Sequence, residues 1–222
     1  MNLSYPFPAA VLFDWDNTLM DTTPILYKAF CVLREHFSLP EYSMEEYQKQ
    51  TGLSLRETFP NLFGDQWEAA KQVYLNAYRA HHLDMLTPFD QAREVVAFAY
   101  KKTGKVGVVS NKTGAILREE IAYLGWEKYF FAVVGAGDAE RDKPAPDPVF
   151  KALEGTGIVY EKGCLSAPVW FVGDGNADME CARAAGCLPV RMASENKDGP
   201  DVLTVKNCAE LLSVLYSCAE ML

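Results

Sequence analysis

Six short apolar runs are spaced along the chain, and most of them end abruptly in polar or acidic residues. Continuous apolar runs of this length are typical of strands that are buried on both faces of a parallel sheet. The pattern therefore predicts six strands, at residues 9–13, 105–109, 132–134, 169–172, 188–190 and 202–205.

Helical patterns lie between these runs. Apolar residues recur at helical spacing over 90–102, 113–124 and 177–185. Asp147 followed by Pro148 is typical of a helix start, with Asp as the cap and Pro at the first helical position. Strands that alternate with helices indicate an α/β fold with a mostly parallel sheet.

The stretch 22–88 breaks this alternation, because it contains helical patterns and no convincing strand. Ser43–Glu46 and Ser54–Glu57 both match the capping box that begins many helices. An all-helical block after the first strand indicates an inserted second domain. We therefore expect a core domain formed by 1–21 and 89–222, with a helical domain at 22–88.

Composition narrows the class of partner. The chain has 222 residues, 49% of them hydrophobic and 23% charged, as in ordinary globular proteins. Its net charge of −9 argues against nucleic acid or an anionic membrane surface as the main partner. The six cysteines include no Cys-x-x-Cys pair, and the chain shows neither a signal-peptide pattern nor an apolar run long enough to span a bilayer. We expect reduced cysteines and a cytoplasmic location.

Chemically active side chains follow four of the predicted strands. They are Asp14, Asp16 and Thr18 after the first strand, Ser110, Asn111 and Lys112 after the second, Lys143 in a longer loop after the third, and Asp174 and Asp178 after the fourth. In a parallel α/β sheet, ligands bind beyond the carboxyl ends of the strands, so these residues are expected to meet. We interpret Lys112 as a solvated surface lysine and leave it out of the site.

This set of residues has a consistent chemistry. Several carboxylates at one sheet edge repel each other unless a cation joins them, and hard oxygen ligands without His or Cys indicate Mg²⁺. Mg²⁺ shares its coordination with substrate phosphate, while a lysine and a hydroxyl would hold the remaining phosphate oxygens. The pattern therefore predicts phosphoryl transfer on a small phosphorylated metabolite.

In order and over nearly the full length, these positions resemble the four motifs of the haloacid dehalogenase-like (HAD) hydrolase superfamily. The segment 14–19 is similar to the Asp-x-Asp-x-Thr nucleophile motif, and Ser110, Lys143 and the run 173–178 are similar to the second, third and fourth motifs. The segment 143–148 most resembles the phosphoglycolate phosphatase-like branch. The resemblance implies a Rossmann-like core with a helical cap of the family's first class.

The resemblance also implies roles for the site residues. Asp14 would be the nucleophile that forms an aspartyl-phosphate, and Asp16 would protonate the leaving alcohol and then deprotonate the attacking water. The implied phosphate-binding residues are Thr18, Ser110, Asn111 and Lys143. The implied Mg²⁺ ligands are the Asp14 carboxylate, the Asp16 backbone carbonyl, Asp174 and Asp178, the last directly or through water.

The helical block carries one candidate for substrate choice. Residues 52–56 resemble the short cap loop that reaches over the site in related phosphatases, so Arg56 is a candidate ligand for a substrate carboxylate. The alternative is an exposed arginine at a helix start. We predict that Tyr74 and Tyr78 belong to the core of this block and that the adjacent His81 and His82 lie on a helix surface.

These features favour a Mg²⁺-dependent phosphatase acting on a small phosphate monoester, with phosphoglycolate as the leading candidate. Two alternatives stay open. One is a phosphomutase or phosphotransferase acting on a sugar phosphate, and the other is a non-catalytic module that binds phosphorylated metabolites.

Overall fold

The computed structural model describes residues 5–48, 53–199 and 201–220. Its main feature is a six-stranded sheet in the order β6-β5-β4-β1-β2-β3, in which every neighbouring pair is parallel. The strands are β1 (Ala10–Phe13), β2 (Val106–Thr113), β3 (Ala132–Ala136), β4 (Val169–Gly173), β5 (Leu188–Met192) and β6 (Leu203–Val205). All six predicted strands are present, and the predicted α/β class is confirmed.

Helices cover both faces of the sheet. The helices are α1 (Thr23–His36), α2 (Met44–Gln48), α3 (Leu55–Phe63), α4 (Trp67–Arg79), α5 (Ala92–Thr103), α6 (Gly114–Tyr123), α7 (Asp147–Leu153), α8 (Asn176–Ala185) and α9 (Cys208–Ala219). Because side chains alternate along a strand, Val11 and Phe13 of β1 pack in the same cluster as α5 and α9. Ala10 and Leu12 pack in a second cluster with α7 and α8.

Helices α1 to α4 form a third cluster, on the carboxyl-end side of the sheet. Phe30 of α1, Phe59 of α3 and Tyr78 of α4 are buried in it, together with Ile116 of α6. The segment is bounded by a short antiparallel pair, Met20–Asp21 with Thr87–Pro88. Two residues of the stretch expected to contain only helices therefore pair as a strand.

The helix starts predicted at Ser43, Ser54 and Asp147 are present, but two of the predicted caps differ in detail. The capping box at Ser43 forms, since its backbone N–H donates to Glu46 Oε2 at 2.8 Å. In the second box, the Ser54 backbone N–H hydrogen-bonds the Glu57 carboxyl group, but the Ser54 hydroxyl makes no cap bond. Asp147 is the first residue of α7 and not its cap, because Arg141 binds its carboxylate at 2.9 Å.

None of the helices in the described part of the chain is long and apolar enough to cross a membrane. The six cysteines are all free. A small antiparallel pair, Tyr160–Glu161 with Cys164–Leu165, precedes β4.

Candidate functional site

Three carboxylates meet at the carboxyl ends of the central strands. Asp14 follows β1, Asp174 follows β4 and Asp178 lies in the first turn of α8, and one oxygen from each lies within 4.8 Å of the others. Lys143 Nζ lies between them, donating to Asp14 Oδ1 at 2.8 Å, Asp178 Oδ1 at 2.6 Å and the Val109 carbonyl at 2.9 Å. The structure thus brings together four of the predicted residues.

The loop after β4 needs glycine to bring Asp178 this close. A Cβ atom on Gly173 would lie only 2.4 Å from Asp178 Cγ, a distance that real contacts do not allow. The Gly175 N–H donates to Asp178 Oδ2 at 2.8 Å and completes the capping interaction at the start of α8. The absence of a side chain at Gly173 and the hydrogen bond from Gly175 together allow Asp178 to lie against Lys143.

Arg191 of β5 holds the same loop from behind. Its guanidinium donates to the Asp174 carbonyl at 2.6 Å and to Asn176 Oδ1 at 3.0 Å, while Asp198 accepts two further bonds at 2.6 and 2.7 Å. Arg191 is buried although it is charged. Sequence reasoning missed this residue, because only the pairing of β5 with β4 brings it beside the loop.

The loop after β1 makes a tight turn. Asn17 has a left-handed backbone with φ of 57°, and the Trp15 carbonyl accepts the N–H groups of Leu19 and Met20 at 3.0 Å each. Thr18 is fully buried and donates to Asp174 Oδ1 at 3.3 Å. The structure therefore places Thr18 behind the carboxylates and not among the residues that line the cavity above them.

Ser110 and Asn111 both line that cavity, but their surroundings differ. The Asn111 carboxamide donates to the Lys143 carbonyl at 2.9 Å and accepts the Lys143 N–H at 3.1 Å. Asn111 thereby holds the backbone of the lysine loop in place. Ser110 Oγ accepts the Lys112 N–H at 3.3 Å and leaves its own hydroxyl hydrogen for another acceptor.

The interpretation of Lys112 as a solvated lysine is wrong. Its side chain is 4% exposed, and Nζ lies 2.7 Å from Asp16 Oδ1 and 2.7 Å from Glu120 Oε2. Thr22 also donates to Asp16 Oδ1, at 2.6 Å. The strand β2 continues to Thr113, further than the apolar run predicted, so both Ser110 and Lys112 reach the cavity.

Glu120 of α6 is the centre of a buried network that sequence reasoning also missed. This fully buried carboxylate accepts from Trp15 Nε1 at 2.7 Å and from the Tyr78 hydroxyl at 2.8 Å, in addition to Lys112. His82 Nδ1 lies 3.1 Å from it. The predicted surface position of His82 is therefore wrong, because Glu120 supplies a partner for a buried imidazole. The network ties the end of α4 to the Asp16 loop.

Burial and mutual repulsion govern the charges of the carboxylates. Burial, with the charges of Asp178 and Asp16, raises the pKa of Asp14 to about 6 in spite of Lys143. Burial and the charges of Asp178 and Asp14 raise the pKa of Asp174 to about 8. Burial alone would lower the pKa of Lys143, but Asp14 and Asp178 outweigh it and raise that pKa.

The donor set fits a hard divalent cation. All three clustered groups are carboxylates, and burial together with their mutual repulsion raises the pKa of Asp14 and of Asp174 although Lys143 lies beside them. A cation at this point would favour the ionised forms of Asp14 and Asp174. Oxygen ligands of this kind, without His or Cys, suit Mg²⁺.

A cavity of about 240 Å³ lies over the carboxylates. We call its polar side the floor. The floor consists of Asp14, Asp16, Asn17, Ser110, Asn111, Lys112, Thr113, Lys143, Asp174, Gly175, Ala177 and Asp178. We call the opposite side the roof. The roof consists of Leu26, Phe30, Tyr47, Leu53, Leu55, Thr58, Phe59, Leu62, Tyr74, Leu75 and Tyr78, with Ile116 packed against them.

Arg56 does not line this cavity. Its guanidinium binds both oxygens of Asp142, one of them at 2.6 Å, and lies 3.4 Å from the Ala139 carbonyl. Asp142 precedes Lys143, so the pair links α3 to the lysine loop. Gly52, which belongs to the same predicted cap loop, lies outside the described residues.

The chain also matches known proteins. The sequence model of a family described as haloacid dehalogenase-like hydrolase matches residues 11–191. The pyrophosphatase PpaX of Listeria monocytogenes is 28% identical over 195 residues, covering 87% of this chain and 86% of the relative. The phosphoglycolate phosphatase of Chromobacterium violaceum is 26% identical over 218 residues, covering 93% and 96%.

A solved structure agrees with this match. The crystal structure of a HAD-superfamily hydrolase from Ehrlichia chaffeensis is 28% identical, with a TM-score of 0.64, and the match covers 97% of this chain and 100% of the other. The predicted resemblance is confirmed.

Proposed function

Because the chain belongs to the haloacid dehalogenase-like hydrolase family, we propose that it is a Mg²⁺-dependent phosphatase of small phosphate monoesters. The observation that carries the proposal is the position of Lys143 between Asp14 and Asp178 at the base of the cavity. A lysine in that position neutralises the charge that develops when a carboxylate attacks a phosphoryl group.

In the first step, an Asp14 carboxylate oxygen forms a bond to phosphorus, and the bond from phosphorus to the ester oxygen breaks. Asp16 gives its proton to the departing alcohol oxygen. In the second step, water attacks the aspartyl-phosphate and gives a proton to Asp16, which releases phosphate and the free Asp14 carboxylate. Thr22 and Lys112 hold the Asp16 carboxyl group in place for both transfers.

The other residues of the site bind the phosphoryl group or position the residues that do. Lys143 and the Ser110 hydroxyl would contact phosphoryl oxygens, while Thr18 and Asn111 act one step back by positioning Asp174 and the lysine loop. The Mg²⁺ ligands would be the carboxylates of Asp14, Asp174 and Asp178 with the Asp16 carbonyl, and the ion would supply positive charge to the phosphoryl oxygens.

We propose further that residues 22–88 act as a cap. Helices α1, α3 and α4 supply the roof, so a bound substrate would be enclosed between two parts of the chain that are joined at residues 20–21 and 87–88. Movement of the cap would admit the ester and exclude bulk water during the first step.

The test is release of inorganic phosphate from a panel of phosphate monoesters, with Mg²⁺ and with a chelator. We expect Mg²⁺-dependent release that Asp14→Asn lowers by about 1,000-fold or more, since the variant lacks the nucleophile. Absence of release across the panel, or wild-type turnover in Asp14→Asn, would overturn the proposal. Transfer of phosphate to a sugar phosphate, in place of release, would assign a phosphomutase.

A further inference from the structure

Building on the proposed function, we infer that the substrate is a phosphate ester of an uncharged, largely apolar alcohol. The leaving group carries neither a carboxylate nor a second phosphate. This substrate class excludes phosphoglycolate, which the sequence favoured. The inference rests on the roof, which would contact the leaving group, and not on the floor, which would contact the phosphate.

The roof is apolar where it faces the floor. Most of its residues are leucine and phenylalanine, among them Leu26 and Phe30 of α1 and Leu55 and Phe59 of α3. A carboxylate against such a surface loses its hydration without gaining a partner, which is unfavourable. An alkyl or aryl group in the same position removes apolar surface from water and is stabilised.

Every cation that lines the cavity in the described residues is already engaged by two carboxylates. Lys143 lies between Asp14 and Asp178, and Lys112 lies between Asp16 and Glu120. With Asp16 protonated, as the first step requires, the floor carries three carboxylates and two lysines, so one Mg²⁺ would leave it a formal charge of only +1. The phosphoryl group already brings negative charge to this floor, and a second anionic group would find no compensation.

Arg56, which the sequence suggested as a ligand for a substrate carboxylate, is not available for that role either. Arg56 is held by Asp142, a buried carboxylate that also accepts the Gly137 N–H at 3.0 Å. Breaking this pair to bind a substrate would leave Asp142 buried without its charge partner, which is costly.

The polar groups of the roof are neutral hydroxyls. Burial and the nearby Asp16 raise the pKa of Tyr47, and burial raises the pKa of Tyr74 and of Tyr78. Three neutral phenols beside an apolar wall suit an aromatic ring or a branched alkyl chain with at most a hydroxyl or ether oxygen. The cavity volume of about 240 Å³ accommodates a small ester.

A matched pair of esters tests the inference. Isobutyl phosphate has the shape of 2-phosphoglycolate with an isopropyl group in place of the carboxylate, so the two differ mainly in charge. We expect kcat/KM for isobutyl phosphate to exceed that for 2-phosphoglycolate by tenfold or more, and benzyl phosphate to be hydrolysed at least as well. Inorganic pyrophosphate should be hydrolysed no better than 2-phosphoglycolate.

A charge placed in the roof should reverse the preference. Leu62 lines the cavity and is 58% exposed, so Leu62→Lys can be made without burying the new charge. We expect this variant to raise kcat/KM for 2-phosphoglycolate and to lower it for isobutyl phosphate. Leu39→Lys adds the same charge at a 37% exposed position away from the cavity. It should leave the ratio of kcat/KM between 2-phosphoglycolate and isobutyl phosphate unchanged. Lys49 belongs to the segment outside the described residues, so Lys49→Met tests whether that lysine binds the substrate carboxylate. We expect this variant also to leave the ratio of the two kcat/KM values unchanged.

The outcomes separate the two proposals. No phosphate release from any of these compounds would overturn the proposed function and the substrate class with it. Release that favours 2-phosphoglycolate or pyrophosphate would overturn the substrate class and leave the phosphatase intact. A selective loss on 2-phosphoglycolate in Lys49→Met would also overturn the substrate class, because it would identify a cation for the carboxylate.

Discussion

The floor and the roof of the cavity are built on different principles. The floor collects side chains from the ends of β1, β2 and β4 and from the loop before α7, and its charged groups are almost all paired with one another. The roof comes from one contiguous stretch of helices, and its side chains are mostly leucine, phenylalanine and tyrosine. The first arrangement specifies a reaction, whereas the second specifies what the reacting group is attached to.

This difference has a physical cause. Stabilising a phosphoryl group requires charges held rigidly at fixed distances, which strand ends and buried ion pairs provide. Selecting an alcohol requires shape and polarity, which can change without disturbing the reacting atoms. Substitutions of floor residues that contact the phosphoryl group should therefore affect all substrates alike, and substitutions in the roof should change their ranking.

The largest effect is expected from Lys143→Met in the floor. The variant removes the cation between Asp14 and Asp178, so kcat/KM should fall by about 1,000-fold on every ester tested. Steady-state kinetics on isobutyl phosphate and benzyl phosphate measure this. Lys101→Met, at an exposed position on α5, is the matched control. A fall confined to one ester would contradict the division between floor and roof.

Mg²⁺ binding should be coupled to proton release at the floor. With a pKa of about 8, Asp174 is mostly protonated at pH 7 in the absence of a cation, and the cation must displace that proton. We expect about one proton released per Mg²⁺ at pH 7, and an affinity for Mg²⁺ that increases as the pH rises toward 8. Calorimetry in two buffers of different ionisation enthalpy measures the proton count.

The same binding should raise stability. At a concentration about 100-fold above its dissociation constant, Mg²⁺ should stabilise the folded chain by about 2.7 kcal/mol. Asp174→Asn should remove most of the stabilisation and the proton release together. Full stabilisation in that variant, or an affinity for Mg²⁺ that does not change between pH 6 and 8, would contradict this assignment of the site.

A smaller effect is expected where the floor meets the roof. Lys112→Met removes a contact that positions Asp16 and leaves Glu120 without one of its donors, so kcat/KM should fall by roughly 10- to 100-fold. The fall should be larger for an alkyl ester than for an aryl ester, since an aryl alcohol departs more readily without a proton. An equal fall on both esters would indicate a structural role for Lys112 and not one that acts through Asp16.

The smallest effect is expected from Arg56→Gln. Since Arg56 does not line the cavity, the ratio of kcat/KM between 2-phosphoglycolate and isobutyl phosphate should change by less than about twofold. Arg56→Gln should lower the thermal midpoint more than Asp142→Asn does, because it leaves the buried Asp142 carboxylate without its charge partner. A selective rise in KM for 2-phosphoglycolate would make Arg56 a substrate ligand after all.

Much of the floor is readable from sequence. The apolar runs predict β1 to β4, and in a parallel sheet the residues that follow those runs lie along one edge. Asp14, Asp174 and Lys143 are therefore found without knowing any tertiary contact. The reason is that both features are local in sequence. A run of consecutive apolar residues indicates a buried strand, and the first polar residue after the run indicates where the strand ends.

What tertiary structure decided is which charge pairs with which. Glu120 lies 105 positions from Trp15 and accepts its N–H, and it makes Lys112 and His82 buried residues although their neighbours in sequence give no sign of it. Asp142 likewise draws Arg56 away from the cavity. Amino-acid type and spacing determine that a residue is charged and on which element it lies, but its partner comes from a distant segment, and only packing brings the two together.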